Sequence, residues 1–312
     1  MPLSEKLFIE RLRRVATRGI RLVQGIGDDC AVLELPRGQE VLITTDFTLE
    51  EVHFRREWHP ADSVGHRCLA RGLSDIAAMG GLPHAAFLSL ALPAELPQDW
   101  VDRFMAGLLK LAARFSLPLA GGDTAQSPDR VVADIVVLGS VPKGKAVLRS
   151  GARAGDLLYV TGSLGSSAAS LNQLREGKKL RPKSNPRHFY PEPRLAVGQF
   201  LRKKNLASAM IDISDGLSTD LGHLCEESGA GVVLSAEALP AVHGTDGLRF
   251  ALHGGDDYEL LFTAHPNRRI PKQIAGVPVT RIGEMVQVRQ MKLARPNGKM
   301  ETLKPAGWEH FS

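Results

Sequence analysis

The sequence lacks most of what secreted, membrane-bound or disulfide-stabilised proteins need. It has three cysteines in 312 residues, far apart and without a CxxC pair. An odd number with that spacing supports neither a disulfide framework nor a zinc site, and it fits a reducing cytoplasm best. The longest apolar stretch, AAFLSLALP from Ala85, is far too short to span a bilayer, and no signal peptide is visible. We therefore expect a cytoplasmic protein without a membrane anchor.

The sequence also lacks a net positive charge outside one segment. The formal net charge is +5, and residues 175–194 hold seven Lys or Arg against two Glu, so the rest of the chain is neutral. A Pro-rich basic stretch without helical or strand periodicity is most simply a solvated mobile loop, and a lid that attracts phosphate is the alternative. No RNA-binding motif or aromatic platform accompanies it, so we expect no nucleic-acid partner.

The length exceeds what one hydrophobic core usually supports, which predicts two domains. Strand-like runs and helical stretches alternate in the first half, the runs at 41–45, 85–92 and 131–141 and the helices at 61–79 and 98–115. An amphipathic helix capped by Ser4 precedes them, and a second α/β pattern starts near residue 150, with helices from Ser163 and Leu217. We predict an α/β fold with domains 1–148 and 149–312.

Aspartates recur at strand ends and beside glycines. The stretch QGIGDDCAVLEL places two acids behind a glycine turn, and five more stand in similar turns, the full set being Asp28, Asp29, Asp46, Asp75, Asp123, Asp212 and Asp215. Because turns at the carboxyl ends of strands share one face of an α/β sheet, we expect these acids to meet. A turn-former or helix N-cap explains any one of them better, but the joint pattern favours metal binding.

The expected cluster needs positive charge. Two carboxylates about 4 Å apart repel by roughly 4 kcal/mol at an effective dielectric of 20. Lys and Arg are not interleaved with the acidic motifs. Oxygen ligands without His or Cys suit Mg²⁺, which prefers a few carboxylates together with waters and phosphates. The acids therefore predict magnesium held on a nucleotide.

Three other residues have two interpretations each. His53 follows the acidic strand and either reaches a ligand or is a half-buried structural histidine. Arg149 is a candidate phosphate clamp, although a surface arginine is the simpler interpretation. Trp308 either stacks on a flat ring or anchors the C-terminal segment in the core.

Seven motifs in order resemble those of the thiamine-monophosphate kinase family: GIGDDCAVL, TTD followed by HF, LSDIAAMG, GGDT, VLRSGA, DISDGL and GGDDYELLF. The resemblance runs across nearly the whole chain. It implies a two-domain synthetase-like fold whose N-terminal sheets pair into the barrel-like core of a homodimer, with ATP and several Mg²⁺ near that interface. It also implies direct transfer of the γ-phosphoryl group from ATP to thiamine monophosphate, without a phosphoenzyme.

The resemblance also assigns residues. It implies metal ligands at Asp29, Thr44, Thr45, Asp46, Asp75, Asp123, Asp212 and Asp215, of which Asp46, Asp75 and Asp215 are the expected catalytic residues. It implies ATP contacts at Gly122, Asp123, Arg149 and Ser214. Substrate contacts are implied at His53, Asp256 and Trp308. Within the first acidic pair, Asp29 is the expected ligand and Asp28 supports the turn.

The sequence departs from the family's pattern at three places. Asp256 stands where the family usually has Glu, Gly72 where Asn is common, and Glu51 where Gly is usual. Two alternatives therefore stay open, another ATP-dependent enzyme of the superfamily that includes aminoimidazole ribonucleotide synthetase and selenophosphate synthetase, or a nucleotide-binding homologue that has lost transfer. Selenide chemistry is disfavoured because no reactive cysteine stands in a Gly-rich N-terminal loop.

Overall fold

The chain divides into two compact α/β units, so the predicted fold class is confirmed. The computed structural model describes residues 5–16, 19, 21–26, 30–244 and 246–309. The first unit comprises the residues up to Ile76 and Leu82–Gly144, and the second comprises Ala77–Gly81 and the residues from Lys145. Ser4, Asp28 and Asp29 lie outside the described residues. Within the described part, no helix has the length and hydropathy to cross a bilayer.

The first unit is built on a four-stranded sheet. Its elements are α1 (Glu5–Val15), β1 (Leu22–Gln24), β2 (Val32–Leu33), β3 (Gln39–Leu49), α2 (Ala61–Ala78), β4 (Leu82–Pro93), α3 (Gln98–Arg114), β5 (Leu119–Ser127) and β6 (Val132–Pro142). The sheet order is β3-β6-β4-β5, and β1 pairs only with β2. Pairing is antiparallel between β3, β6 and β4, and parallel between β4 and β5. The strands and helices predicted for this half are confirmed.

One face of this sheet is buried and the other is exposed. Ala133, Ile135 and Val137 of β6 are fully buried, whereas Ile43 and Phe47 of β3 are 69% and 55% exposed. This alternation follows from the period of two along a strand. Helix α2 packs on the buried face.

The second unit contains an eight-stranded sheet. Its elements are β7 (Leu157–Thr161), α4 (Ser166–Arg175), α5 (Pro186–Phe189), α6 (Leu195–Lys203), β8 (Ala209–Asp212), α7 (Leu217–Ser228), β9 (Gly231–Ser235), α8 (Gly247–His253), β10 (Leu260–Ala264), β11 (Gln273–Ile274), β12 (Val277–Val286), β13 (Met291–Ala294) and β14 (Met300–Thr302). The strand order is β14-β13-β9-β12-β7-β10-β8, with β11 on β12. The helix predicted from Leu217 begins there, and the one predicted from Ser163 begins at Ser166 because Gly165 takes a left-handed conformation as its N-cap.

The basic segment 175–194 is not a loose loop throughout. Its last part contains α5, where His188 and Phe189 are 2% and 0% exposed. The Ser167 hydroxyl lies 2.9 Å from His188 Nδ1, which ties α5 to α4. The prediction of a solvated mobile loop is therefore wrong for residues 186–194, because two rings in a short helix provide a buried anchor that has no periodicity to reveal it.

Candidate active site

Strand β3 and helix α2 bring two of the acidic motifs together. Thr44 and Asp46 are two residues apart and share a face of the strand, while Arg71 and Asp75 are four apart and share a face of the helix. The Thr44 hydroxyl donates to the Asp75 carboxylate. Arg71 Nε donates to Asp46 Oδ1 at 3.0 Å. The TTD and LSD motifs thus converge, but Asp46 lies inside β3 and Asp75 inside α2, and neither stands in the strand-end turn that was predicted.

Arg71 corrects the expectation that no cation accompanies these acids. Its side chain is 12% exposed and that of Asp46 is 28% exposed, so the pair is shielded from water. A guanidinium in this position neutralises part of the local negative charge and fixes one carboxylate oxygen. The available signal was the spacing of four residues between Arg71 and Asp75 on a predicted helix.

Thr45 points to the opposite side of β3. Its hydroxyl donates to Asp134 Oδ1 at 2.7 Å, and Asp134 lies on the neighbouring strand β6. Sequence reasoning did not single out Asp134, because it stands in the middle of a strand without a turn or glycine. Thr44 and Thr45 consequently belong to different faces of the sheet.

Gly122 and Asp123 lie on β5, at the other edge of the sheet from β3. Counted across the sheet order, β5 is three strands from β3, or roughly 14 Å at the usual spacing. Asp123 Oδ1 accepts the backbone N–H of Thr124 at 2.9 Å. Both residues line a cavity of about 790 Å³, whose other walls include Phe8 and Leu12 of α1. The sheet therefore does not place Asp123 beside Asp46.

His53 lies in the turn after β3 and is half-buried. Its Nδ1 accepts the backbone N–H of Leu49 at 2.9 Å, which leaves the proton of the neutral ring on Nε2. Glu51 in the same turn has a φ of 69° and pairs with Arg55 at 3.0 Å. This left-handed φ explains why glycine suits the position. Both interpretations of His53 stay open.

In the second unit, the turn that follows β8 joins three parts of the chain. Asp212 ends β8 and is 4% exposed. The backbone N–H of Asp256 donates to the Ser214 carbonyl at 2.7 Å, and that of Trp308 donates to the Asp215 carbonyl at 2.9 Å. Five residues with predicted roles, from three segments that are remote in sequence, therefore meet at one turn.

The two expected substrate contacts of this unit differ in how they are held. Asp256 has a φ of 62°, and its Oδ1 accepts the hydroxyl of the buried Tyr258 at 2.7 Å. Trp308 is 46% exposed. The alternative that its ring anchors the C-terminal segment in the core is therefore wrong, and a large aromatic surface stands beside the acidic turn.

Asp220 supports the same turn and was missed by sequence reasoning. It is 2% exposed, and its Oδ2 accepts the backbone N–H groups of Asp215 at 3.1 Å and Gly216 at 3.0 Å. Burial, followed by the charges of Asp212 and Asp215, raises the pKa of Asp220 to about 8. The contact resembles a capping box, but Asp220 stands one residue later in the helix than that pattern requires, so the sequence contained no clear signal for it. Because burial is the larger cause, the raised pKa mainly reflects the loss of solvent around this carboxyl group.

Arg149 and the metal ligands are less defined. Arg149 is exposed at the start of a short 3₁₀ turn, and its carbonyl accepts the Ser228 hydroxyl at 2.6 Å. Among the described residues, no group of three or more His, Cys, Asp or Glu lies close enough together to hold a metal ion. The donors are nonetheless carboxylate and hydroxyl oxygens, which suit Mg²⁺ bound by one or two carboxylates with phosphates. The ligand set stays a prediction.

The chain contains both domains of the AIR synthase related proteins. The models of this family match residues 27–141 with the N-terminal domain and residues 153–294 with the C-terminal domain. Hydrogenase maturation protein HypE in complex with ATP shares the fold, with a TM-score of 0.82 over 99% of this chain at 19% identity.

Relatives of higher sequence identity show which member of this larger group the chain resembles. Thiamine-monophosphate kinase of Salmonella typhimurium is 39% identical and covers 96% of this chain and 95% of its own length. The crystal structure of that kinase from Stenotrophomonas maltophilia has a TM-score of 0.83, 34% identity and coverage of 96% and 98%. The structure of AaThiL complexed with AMPPCP and TMP has a TM-score of 0.79, 31% identity and coverage of 100% and 99%. The chain belongs to the thiamine-monophosphate kinase family.

Proposed function

We propose that this protein transfers the γ-phosphoryl group of ATP to the phosphate of thiamine monophosphate, giving ADP and thiamine diphosphate. The observation that carries the proposal is the turn after β8, which is hydrogen-bonded both to the Asp256 loop and to the segment with Trp308. A carboxylate, an exposed indole and two acids thus stand around one turn. The proposal is supported by AaThiL, which was solved with AMPPCP and TMP.

We propose that His53, Asp256 and Trp308 bind the acceptor, thiamine monophosphate. The ring of Trp308 offers a flat apolar face for a heterocycle, and a cationic ring gains further from it. The Asp256 carboxylate is oriented by the Tyr258 hydroxyl and can accept a hydrogen bond from the substrate or pair with its positive charge. We propose that ATP is bound by Gly122, Asp123, Arg149 and Ser214.

Magnesium is assigned to carboxylates and hydroxyls of both units, namely Asp29, Thr44, Thr45, Asp46, Asp75, Asp123, Asp212 and Asp215. Bound Mg²⁺ would supply the positive charge that lets two anionic phosphates approach in line. Arg71 and the Thr44 hydroxyl orient Asp46 and Asp75 in the first unit, and Asp220 holds the backbone of Asp215 in the second. These contacts fix the carboxylates before ligands bind.

Phosphoryl transfer requires little covalent chemistry from the protein itself. The acceptor is a phosphate that is already ionised near neutral pH, so a general base is not obligatory. The side chains have to position the two phosphates and stabilise charge, and no phosphoenzyme is needed. We propose that residues 1–148 form the domain for ATP, magnesium and dimer contacts, and that residues 149–312 contribute further metal and substrate contacts. The three cysteines are free thiols, which agrees with the cytoplasmic location we propose.

We also propose a homodimer formed through the exposed face of the first sheet. Ile43 and Phe47 stand on this face at 69% and 55% exposure, and Ile43 pairs in register with Leu138. Large adjoining apolar side chains on a sheet face mark an interaction surface. Ile43→Glu with Phe47→Glu should yield a monomer by sedimentation velocity. Val288→Glu, at a 62% exposed apolar residue of the second unit, is the matched control and should leave the assembly unchanged.

The function is tested by incubating the purified protein with ATP, Mg²⁺ and thiamine monophosphate and separating the products by chromatography. We expect thiamine diphosphate and ADP in equal amounts, and neither product without Mg²⁺. ADP formed only with an aminoimidazole precursor would favour another enzyme of the superfamily. Nucleotide binding without turnover of any acceptor would favour a homologue that has lost transfer.

A further inference from the structure

The loop 254–259 has two sides, and only one of them faces the acidic turn. On that side, the backbone N–H of Tyr258 donates to the Ile213 carbonyl at 2.8 Å, next to the bond from Asp256 to Ser214. The other side contacts the glycine-rich turn after β7. There Asp257 Oδ2 accepts the backbone N–H of Gly165 at 2.8 Å.

Glu259 makes the main contacts of this second side. Its side chain is 0% exposed. The carboxylate accepts the Thr161 hydroxyl at 2.6 Å, Arg187 Nη1 at 2.9 Å, and Arg194 through Nε at 2.7 Å and Nη2 at 2.5 Å. A Cβ on Gly162 would lie 1.9 Å from its Oε1, so the turn has no room for a side chain there.

The two arginines come from the basic segment 175–194. Arg187 is 41% exposed and also donates to the Ser163 carbonyl at 3.1 Å, whereas Arg194 is 13% exposed. A buried carboxylate is stabilised only when cations and hydrogen bonds satisfy it, as they do here. The basic segment is thereby fastened to the end of the substrate loop.

The loop needs such an anchor because its backbone is strained. Asp256 and Tyr258 have φ values of 62° and 51°, in the left-handed region that non-glycine residues avoid. Residues in such conformations persist only when their surroundings fix them. The Glu259 carbonyl also accepts the backbone N–H of Ile213 at 2.8 Å, so Glu259 joins the ion cluster directly to the acidic turn.

We propose that Glu259, held by Arg187 and Arg194, is a positioning residue that keeps the Asp256 carboxylate in its substrate-binding geometry. The ion cluster acts from behind the loop and does not touch the acceptor. The inference rests on the proposed function, which assigns Asp256 to thiamine monophosphate. In this proposal, Arg187 and Arg194 of the basic segment hold the Glu259 carboxylate in place.

The kinetic test uses Arg187→Ala, because a half-exposed residue can be removed without unfolding the chain. We expect the KM for thiamine monophosphate to rise roughly tenfold and the KM for ATP to stay within about twofold, since the loop carries an acceptor contact and three of the four assigned nucleotide contacts lie outside the loop and the turn. Arg187→Lys should recover most of the loss, because Arg187 uses one nitrogen, Nη1, for both contacts. Glu259→Gln should resemble Arg187→Ala or exceed it.

Arg281→Ala is the matched control, since Arg281 pairs with Glu284 at 3.3 Å and both are about half-exposed in the same unit. It should change neither KM. Equal increases of both KM values in Arg187→Ala, or no increase, would overturn the inference even though the wild-type enzyme makes thiamine diphosphate.

A second measurement does not depend on activity. Amide hydrogen exchange of the ligand-free protein reports the bonds of Asp256 and Tyr258 to the acidic turn. Arg187→Ala should accelerate exchange at these two amides by roughly tenfold or more, while Arg281→Ala should not. Unchanged exchange would reject the positioning role. Accelerated exchange with an inactive wild-type protein would support it and reject the proposed function instead.

Discussion

Replacement of Gly122 by alanine should break the edge of the first sheet. Gly122 has a φ of 148°, and a Cβ built on it would lie 1.9 Å from the backbone O of Leu88 on β4. Ordinary contact begins near 3.4 Å, so the two strands would have to separate by about 1.5 Å. Strands that pair at about 4.8 Å cannot separate this far and keep their hydrogen bonds.

The expected cost follows from this geometry. Two or three lost ladder bonds at about 1 kcal/mol each, with about 1 kcal/mol of backbone strain, predict a loss of roughly 3 kcal/mol in the free energy of unfolding. Urea unfolding measures this loss. The KM for ATP should rise as well, because Gly122 and Asp123 move together.

Gly121→Ala is the control for this prediction. The nearest atom to a Cβ on Gly121 is Cδ1 of the Phe87 ring at 3.1 Å, and the ring can yield by a few tenths of an ångström. We expect a change of less than about 1 kcal/mol. If Gly122→Ala is as stable as Gly121→Ala, the close approach of β4 and β5 at this residue is wrong.

Three further predictions concern single side chains. Asp46→Asn, Asp75→Asn and Asp215→Asn should each lower kcat by at least roughly 10²-fold, and near-wild-type turnover in all three would reject their catalytic assignment. Glu51→Gly should raise the free energy of unfolding by about 0.5–1 kcal/mol. Glycine relieves the strain of the left-handed backbone, and this gain exceeds the loss of the exposed ion pair with Arg55. A destabilised variant would contradict this prediction. Burial raises the pKa of Asp257 to about 8, so the native state retains a proton that the unfolded chain loses and stability falls as pH rises from about 4 to 8. Asp257→Asn should therefore gain more in Tm at about pH 8 than near pH 5, and parallel pH profiles would exclude this cause.

Segments with a periodic apolar pattern predicted the helices and strands well. Contacts between helices and strands were harder to predict. The helix over 61–79 and the strands on either side of it were foreseeable because their apolar residues repeat at 3.6 or at 2. The sequence linked Thr44 with Asp75 only through the family resemblance, which implies that both are metal ligands. Arg71 was missed because its salt bridge joins a helix to a strand that is remote in sequence, and Asp134 was missed because it stands in mid-strand without a turn or glycine.

The segment 186–194 shows a second kind of limit. Pro, Arg and His dominate it, and this composition is typical of exposed loops. Its order comes from the buried rings of His188 and Phe189 and from the ion pair of Arg194 with the buried Glu259, which lies 65 residues further along the chain. No window of the sequence contains both ends of that contact. Composition therefore predicted the charge of the segment correctly and its mobility wrongly.

Two of the three departures from the family pattern, Gly72 and Asp256, can be explained by their surroundings, whereas nothing in the structure explains Glu51. A Cβ at Gly72 would lie 2.7 Å from Cγ2 of Val137, so a larger residue there requires a smaller neighbour on β6. Asp256 has a left-handed φ, which a short carboxylate tolerates better than most side chains do. Because Tyr258 and the Ser214 carbonyl already fix this residue, loss of one methylene relative to Glu moves the carboxylate without freeing the loop. The change should therefore alter acceptor affinity before it alters turnover, and Asp256→Glu should lower the KM for thiamine monophosphate while kcat stays within about twofold.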